Sequence, residues 1–172
     1  MYFIDTHAHL YSEEFCEDET QMLQRAFQAN VQKIIMPNVD TNSMAKMVEI
    51  TEQYPGKCFA MFGLHPCYVK EDFESQLASI YESMKSHKPV AIGEIGLDFH
   101  WDDTFKTQQI TALATQLQWA LELNLPVAIH TRKSWRDTIA TIKPFAAKGL
   151  KGVFHCFGGT IDEAHEVTDM GM

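Results

Sequence analysis

The chain of 172 residues is short of positive charge. Fourteen Lys and Arg stand against 23 Asp and Glu, a formal net charge of -9. A strongly basic nucleic-acid-binding face is therefore not advertised, although nucleic acid is not excluded, because bound divalent cations would supply positive charge locally. Cysteine is sparse: Cys16, Cys58, Cys67 and Cys156 are widely spaced with no CxxC pair. A zinc knuckle or dithiol redox motif is therefore excluded. No apolar run approaches the roughly 20 residues of a membrane helix. The opening "MYFIDTHAHL" has no basic leader or long apolar stretch and does not read as a secretory signal. Linkers, repeats and low-complexity segments are missing too. The remainder describes a globular chain, most simply one domain over residues 1–172, large enough to bury a core. It is expected in a reducing cytoplasm, with its cysteines as thiols and no membrane partner.

Short apolar runs recur: "YFID" at 2, "KIIMP" at 33, "CFAMFG" at 58, "PVAIGEIG" at 89, "PVAIH" at 126 and "GVFHC" at 152. Each has strand length and is rich in Val, Ile or Phe. Helical spacing fills several gaps. Met22, Leu23, Ala26 and Phe27 share one face, as do Met44, Met47, Val48 and Ile50. Ile110, Leu113, Leu117 and Leu121 mark a long helix from about Asp103 to Leu123. Two further helices follow the fifth and sixth strands, with Ser134 and Thr160 as N-caps. Strict alternation of this kind predicts an α/β fold, a parallel sheet covered by helices. From the first strand to the sixth is about 150 residues, about 30 per unit. A TIM-type (β/α)8 barrel needs about 250 residues, so the chain holds about six of eight βα units. The sheet is either open or an incomplete barrel.

The histidines fall in a pattern. His7, His9, His65, His130 and His155 each come at the C-terminal end of an apolar run, and Glu94 holds the same place in "AIGEIG". Strand C-termini form the active face of parallel α/β folds. Side chains two apart on a strand point the same way, so His7 and His9 can converge as a metal clamp. Imidazole nitrogens with a carboxylate suit Zn, Mn, Fe or Co, while Mg prefers oxygen-rich sites. A carboxylate between two histidine groups can bridge two metals, and a two-metal centre suits displacement at a phosphodiester.

Other residues leave alternatives open. Arg132 either meets a phosphate or makes a surface ion pair. Asp98 either orients a ligand or caps the next helix. Cys156 is expected as a packed thiol. The glycines of "FGG" at 157–159 precede a helix, where backbone can approach phosphate. Trp101 and Trp135 either stack on a base or pack at the rim.

The motifs "DTHAHL", "GLHP", "GEIGLDFHW", "LPVAIHTRKSW" and "HCFGG", in this order and spacing, resemble the TatD family of metal-dependent deoxyribonucleases, amidohydrolase-like TIM barrels. The resemblance runs from residue 4 to about 165. It implies cleavage of DNA phosphodiester bonds, typically as a 3′-5′ exonuclease with two divalent metal ions, Mg or Mn in use and Zn compatible. It implies that His7, His9 and Glu94 hold one metal, and Glu94, His130 and His155 the second. His65 and Arg132 would sit near the substrate phosphate, making Glu94 and His65 the catalytic pair.

There are departures. Gly158 stands where the family usually has Ser or Thr. The family's Asp ligand after the eighth strand has no counterpart before Met172, since Asp169 falls in the helix after the sixth strand. The chain is thus expected to be C-terminally incomplete, to have little activity alone, and to self-associate through its open barrel edge. Two other functions compete with the nuclease. One is a small-molecule amidohydrolase on the same scaffold, which often bridges metals through a carboxylated Lys where this chain has Glu94. The other is an inactive truncated form.

Overall fold

In the computed structural model, which describes residues 1–172, the apolar runs become six strands. They are β1 (Phe3–Asp5), β2 (Val31–Pro37), β3 (Cys58–Phe62), β4 (Ala91–Asp98), β5 (Val127–Arg132) and β6 (Gly152–Phe154). All pair in parallel, in chain order. A parallel pair needs a crossover, and a helix supplies it while covering one sheet face. The helices are α1 (Glu19–Gln28), α2 (Thr41–Gln53), α3 (Phe73–Ser86), α4 (Lys106–Leu123), α5 (Trp135–Ala146) and α6 (Ile161–Asp169). Helix α3 is an addition to the expected set. Its Phe73, Leu77, Ile80 and Met84 recur at helical spacing and are all buried, so its signal is present in the sequence. No helix is long and apolar enough to cross a membrane.

The two expected caps differ. Thr160 and Glu163 form a reciprocal capping box at the start of α6, with N···O distances of 2.7 and 3.2 Å. Ser134 precedes α5, but its hydroxyl donates to the Leu97 carbonyl at 2.7 Å and so ties the helix start to β4.

The strand faces alternate. Cys58, Ala60 and Phe62 of β3 join the large apolar cluster under the helices. Met61 points the other way, with Ala91 and Ala128, into the inner face. Strand β4 is buried along its whole length, whereas all three residues of β1 are exposed, as is Val153 of β6. The sheet also curls. Strands β1 and β6 lie at opposite ends of the strand order, yet His7 and His155 stack with ring centroids 3.5 Å apart and planes 5° from parallel. The result is a curled half-barrel of six βα units with its strand C-termini gathered at one end.

Curling brings β4 and β5 close together. Gly96 has φ +148°, and a Cβ there would run into the His130 backbone carbonyl. Gly56 has φ +75° but open space around it. Gly56→Ala should therefore cost only backbone strain, about 1 kcal/mol. Gly96→Ala adds a backbone collision and should cost about 3 kcal/mol or more. Thermal melts of the two variants are expected to show a much larger loss for Gly96→Ala.

Candidate metal centre

His7 and His9 lie just past the end of β1 rather than on the strand, so strand alternation is not what aligns them. The Ala8 N–H donates to the Ile35 carbonyl at 3.1 Å, and the His7 N–H to the Asp5 carboxylate at 3.1 Å. These bonds fold the segment so that the two Nε2 atoms stand 3.2 Å apart. Glu94 meets them from β4, where the β4–β5 register shifts between Ile92 and Ile95. Such irregularities re-aim side chains near active sites. The Glu94 N–H is held by the Asn38 carbonyl at 3.0 Å.

The Glu94 carboxylate is buried, and each oxygen faces its own histidines. Oε2 is 3.1 Å from His7 Nε2 and 3.6 Å from His9 Nε2. Oε1 is 3.1 Å from His130 Nδ1 and 3.6 Å from His65 Nε2. Two three-donor groups thus share one carboxylate, His7–His9–Glu94 and His65–Glu94–His130. Donors around one ion at about 2.1 Å are roughly 3.0–3.4 Å apart in octahedral or tetrahedral geometry. The observed separations fall in or near that range for His7, His9 and Glu94 and for Glu94 and His130, so these residues fit divalent metal. No Lys or Arg pairs with Glu94, and a buried carboxylate needs compensating charge.

Hydrogen-bond accounting separates the histidines. The Tyr11 hydroxyl donates to the Pro37 carbonyl at 2.5 Å, so its oxygen accepts from His9 Nδ1 at 2.7 Å. That tautomer leaves a lone pair on His9 Nε2, facing Glu94 and His7. His65 is the reverse. Its Nδ1 accepts from the Cys67 N–H at 3.2 Å, so neutral His65 carries its proton on Nε2 and presents a donor. His130 stands between two carboxylates, with Nε2 2.8 Å from Asp98 and Nδ1 3.1 Å from Glu94. Between Nδ1 and Glu94 there must be a proton or a cation.

The titration behaviour follows. Burial alone would raise the Glu94 carboxyl, but bonds from His130, His65 and His7 hold it well below the usual carboxylate range. Burial lowers His9 and His155, with Glu94 only partly opposing, so both favour the neutral, metal-ready form. Burial would also lower His130, yet Glu94 and Asp98 raise it.

Further parts of the site were not read from the sequence. Two buried glutamines of α4 clamp the strand ends. Gln116 bonds both the N–H and the carbonyl of Leu64, at 2.7 and 3.3 Å, next to His65. Gln109 bonds both backbone groups of Asp98, at 2.9 and 3.1 Å. They sit seven apart, on the buried face of a helix otherwise read by its leucines. Asp98 orients His130 and accepts the His100 N–H at 2.8 Å; the N-cap of α4 is Phe105.

The remaining candidates line the rim. His155 belongs to neither three-donor group and lies flat on His7. Arg132 is exposed, makes no ion pair with a carboxylate, and sits 5.1 Å from the centroid of the Trp101 ring. Trp135 packs on Phe154 and Phe157 at 5.6 and 5.8 Å. Cys156, expected as a packed thiol, is exposed at φ +47°, because the chain turns sharply after β6 and rotates it outward. With Gly158 and Gly159 it lines an open groove of about 840 Å³ that also contains His130, His155 and Arg132.

Relatives share this arrangement of elements. The family described as TatD related DNase matches residues 4–172. The protein named uncharacterized metal-dependent hydrolase YabD, from Bacillus subtilis (strain 168), is 36% identical over 166 residues, 96% of this chain and 65% of its own length. A protein named 3′-5′ ssDNA/RNA exonuclease TatD, from Erwinia tasmaniensis, is 31% identical over 168 residues, covering 98% of this chain and 65% of its own. The crystal structure of YjjV, a TatD homolog from Escherichia coli K12, superposes with a TM-score of 0.89 at 34% identity, over 98% of this chain and 65% of that one. The chain therefore spans about 65% of the length of these relatives. With the family matched over nearly its whole length, the chain belongs to the TatD related DNases.

Proposed function

We propose that this chain is the metal-binding part of a hydrolase that cleaves phosphodiester bonds in DNA from the 3′ end. The observation that carries the reading is Glu94, a buried carboxylate whose two oxygens face separate sets of imidazoles. The relative named as a 3′-5′ ssDNA/RNA exonuclease and the one named as a metal-dependent hydrolase support it. Two divalent cations, Mg or Mn in use and Zn compatible, would be held by His7, His9 and Glu94 and by Glu94 and His130, with His155 as the remaining nitrogen. Bound there, they would supply Lewis-acid charge to the phosphate and acidify the attacking water.

The chain's own groups do the rest. Glu94 holds the two sites together and neutralises part of their charge. His65, whose protonated Nε2 stands 3.6 Å from Glu94 Oε1, would offer that N–H to a phosphate bound beside the carboxylate. Asp98 and Tyr11 keep His130 and His9 turned inward. Arg132, without a carboxylate partner and lying beside the Trp101 ring, has hydrogen-bond donors left for the substrate.

Digestion of 3′- and 5′-labelled oligonucleotides with added Mg or Mn tests the proposal. Slow loss of nucleotides from the 3′ end is expected from this chain by itself, and no cleavage at all would favour the inactive form. Hydrolysis of a cyclic amide with no cleavage of DNA would favour the amidohydrolase reading instead. Glu94→Ala should abolish metal-dependent cleavage even at saturating metal, while His65→Ala should raise KM with metal affinity little changed. Tyr11→Phe keeps the ring but frees the His9 tautomer, so metal titration should show affinity about 10–100-fold weaker. The exposed edges of β1 and β6 support self-association. Light scattering of the 172-residue chain is expected to give a mass above that of one copy.

A further inference from the structure

We propose that Trp101 and Arg132 form a nucleobase subsite beside the Glu94 centre, taking an unpaired base of a single-stranded nucleic acid. The inference rests on the phosphodiesterase reading and adds to it the part of the substrate that is not phosphate. Trp101 is 73% exposed, while the chain's other tryptophans, Trp119 and Trp135, are packed. Its ring is not loose. The His100 ring lies edge-on at 4.6 Å, and the Arg132 guanidinium is 5.1 Å from the ring centroid.

The position is tied to the centre on both sides. The His100 N–H is bonded to Asp98, whose other oxygen holds His130. On the facing strand, Arg132 comes two residues after His130, and its carbonyl accepts from the Phe99 N–H at 3.0 Å. The backbone that carries the indole and the guanidinium is thus tied to the strands of the Glu94 centre.

Charge selects the occupant. The groove on the Arg132 side of this pair is lined by Arg132, Lys133 and Arg136, none of which makes an ion pair, while the hollow on the Trp101 side holds Lys70, paired with Asp102 at 3.8 Å, and Asp98, engaged with His130. The two acids on the Arg132 side are engaged. Asp137 pairs with Lys106 at 3.0 Å, and Glu163 caps α6. In a chain of net charge -9 this stretch is locally positive and suits an anionic strand. A base inside a duplex has both faces covered. A terminal pair has one face free but is held by its partner strand, whereas an unpaired base can turn either face onto an exposed indole, with the guanidinium adding its own stacking surface.

Binding of a phosphorothioate-linked oligothymidylate, and of the same oligomer with abasic residues at its 3′ end, tests this in wild type, Trp101→Ala and Trp101→Phe. Thermal melts confirm that the variants are folded. Wild type should bind the thymidylate about tenfold or more tightly than the abasic oligomer, on the scale of one base stacked on an aromatic ring. Trp101→Ala should bind the two oligomers equally, and Trp101→Phe should keep most of the difference. Equal abasic penalties in wild type and Trp101→Ala would overturn the subsite while leaving the phosphodiesterase reading intact. A wild-type protein that neither binds the thymidylate nor cleaves unmodified DNA would remove that reading, and the subsite with it.

Discussion

A carboxylate removed from water, with no Lys or Arg beside it, governs this structure. Glu94 sits on the one strand buried along its whole length, and its neighbours are imidazoles that carry charge only when protonated. Each oxygen addresses two of them. The surroundings follow from keeping that contact in place. Gly96 lets β4 approach β5, the Asn38 carbonyl holds the Glu94 N–H, and two glutamines of α4 pin the neighbouring strand ends.

The histidines are not equivalent, and hydrogen bonding outside the cluster makes them differ. Tyr11 turns a lone pair of His9 inward, whereas the Cys67 N–H turns a proton of His65 inward. His130 lies between two carboxylates and needs positive charge on the Glu94 side. A residue type in a motif thus says that an imidazole is present. Its outer partner says whether the imidazole acts as acceptor or donor. His155 shows the limit of the motif, since its ring rests on His7 rather than within either donor group.

Electrostatics divide the molecule. The chain as a whole repels polyanions, but the groove after β5 holds three unpaired cations and both of its acids are engaged elsewhere. Positive charge is therefore local to the strand C-termini, where the metal donors also gather.

The sequence by itself determined the alternation of strands and helices, because apolar runs of strand length carry their own signal. It also assigned five histidines and Glu94 to strand ends by counting from apolar runs, although Glu94 and His130 lie inside β4 and β5 and the other four lie just past their strands. Helix α3 was equally legible in Phe73, Leu77, Ile80 and Met84, which recur at helical spacing. Only the tertiary structure decided which groups meet. His7 and His155 are 148 residues apart and touch because the sheet curls. Gln109, Gln116 and Tyr11 look like ordinary helix and loop residues until their partners, 11, 52 and 26 residues away, are known. Hydrogen bonds and donor groups of that kind depend on angles and distances across the fold. Local patterning of apolar and polar residues contains neither.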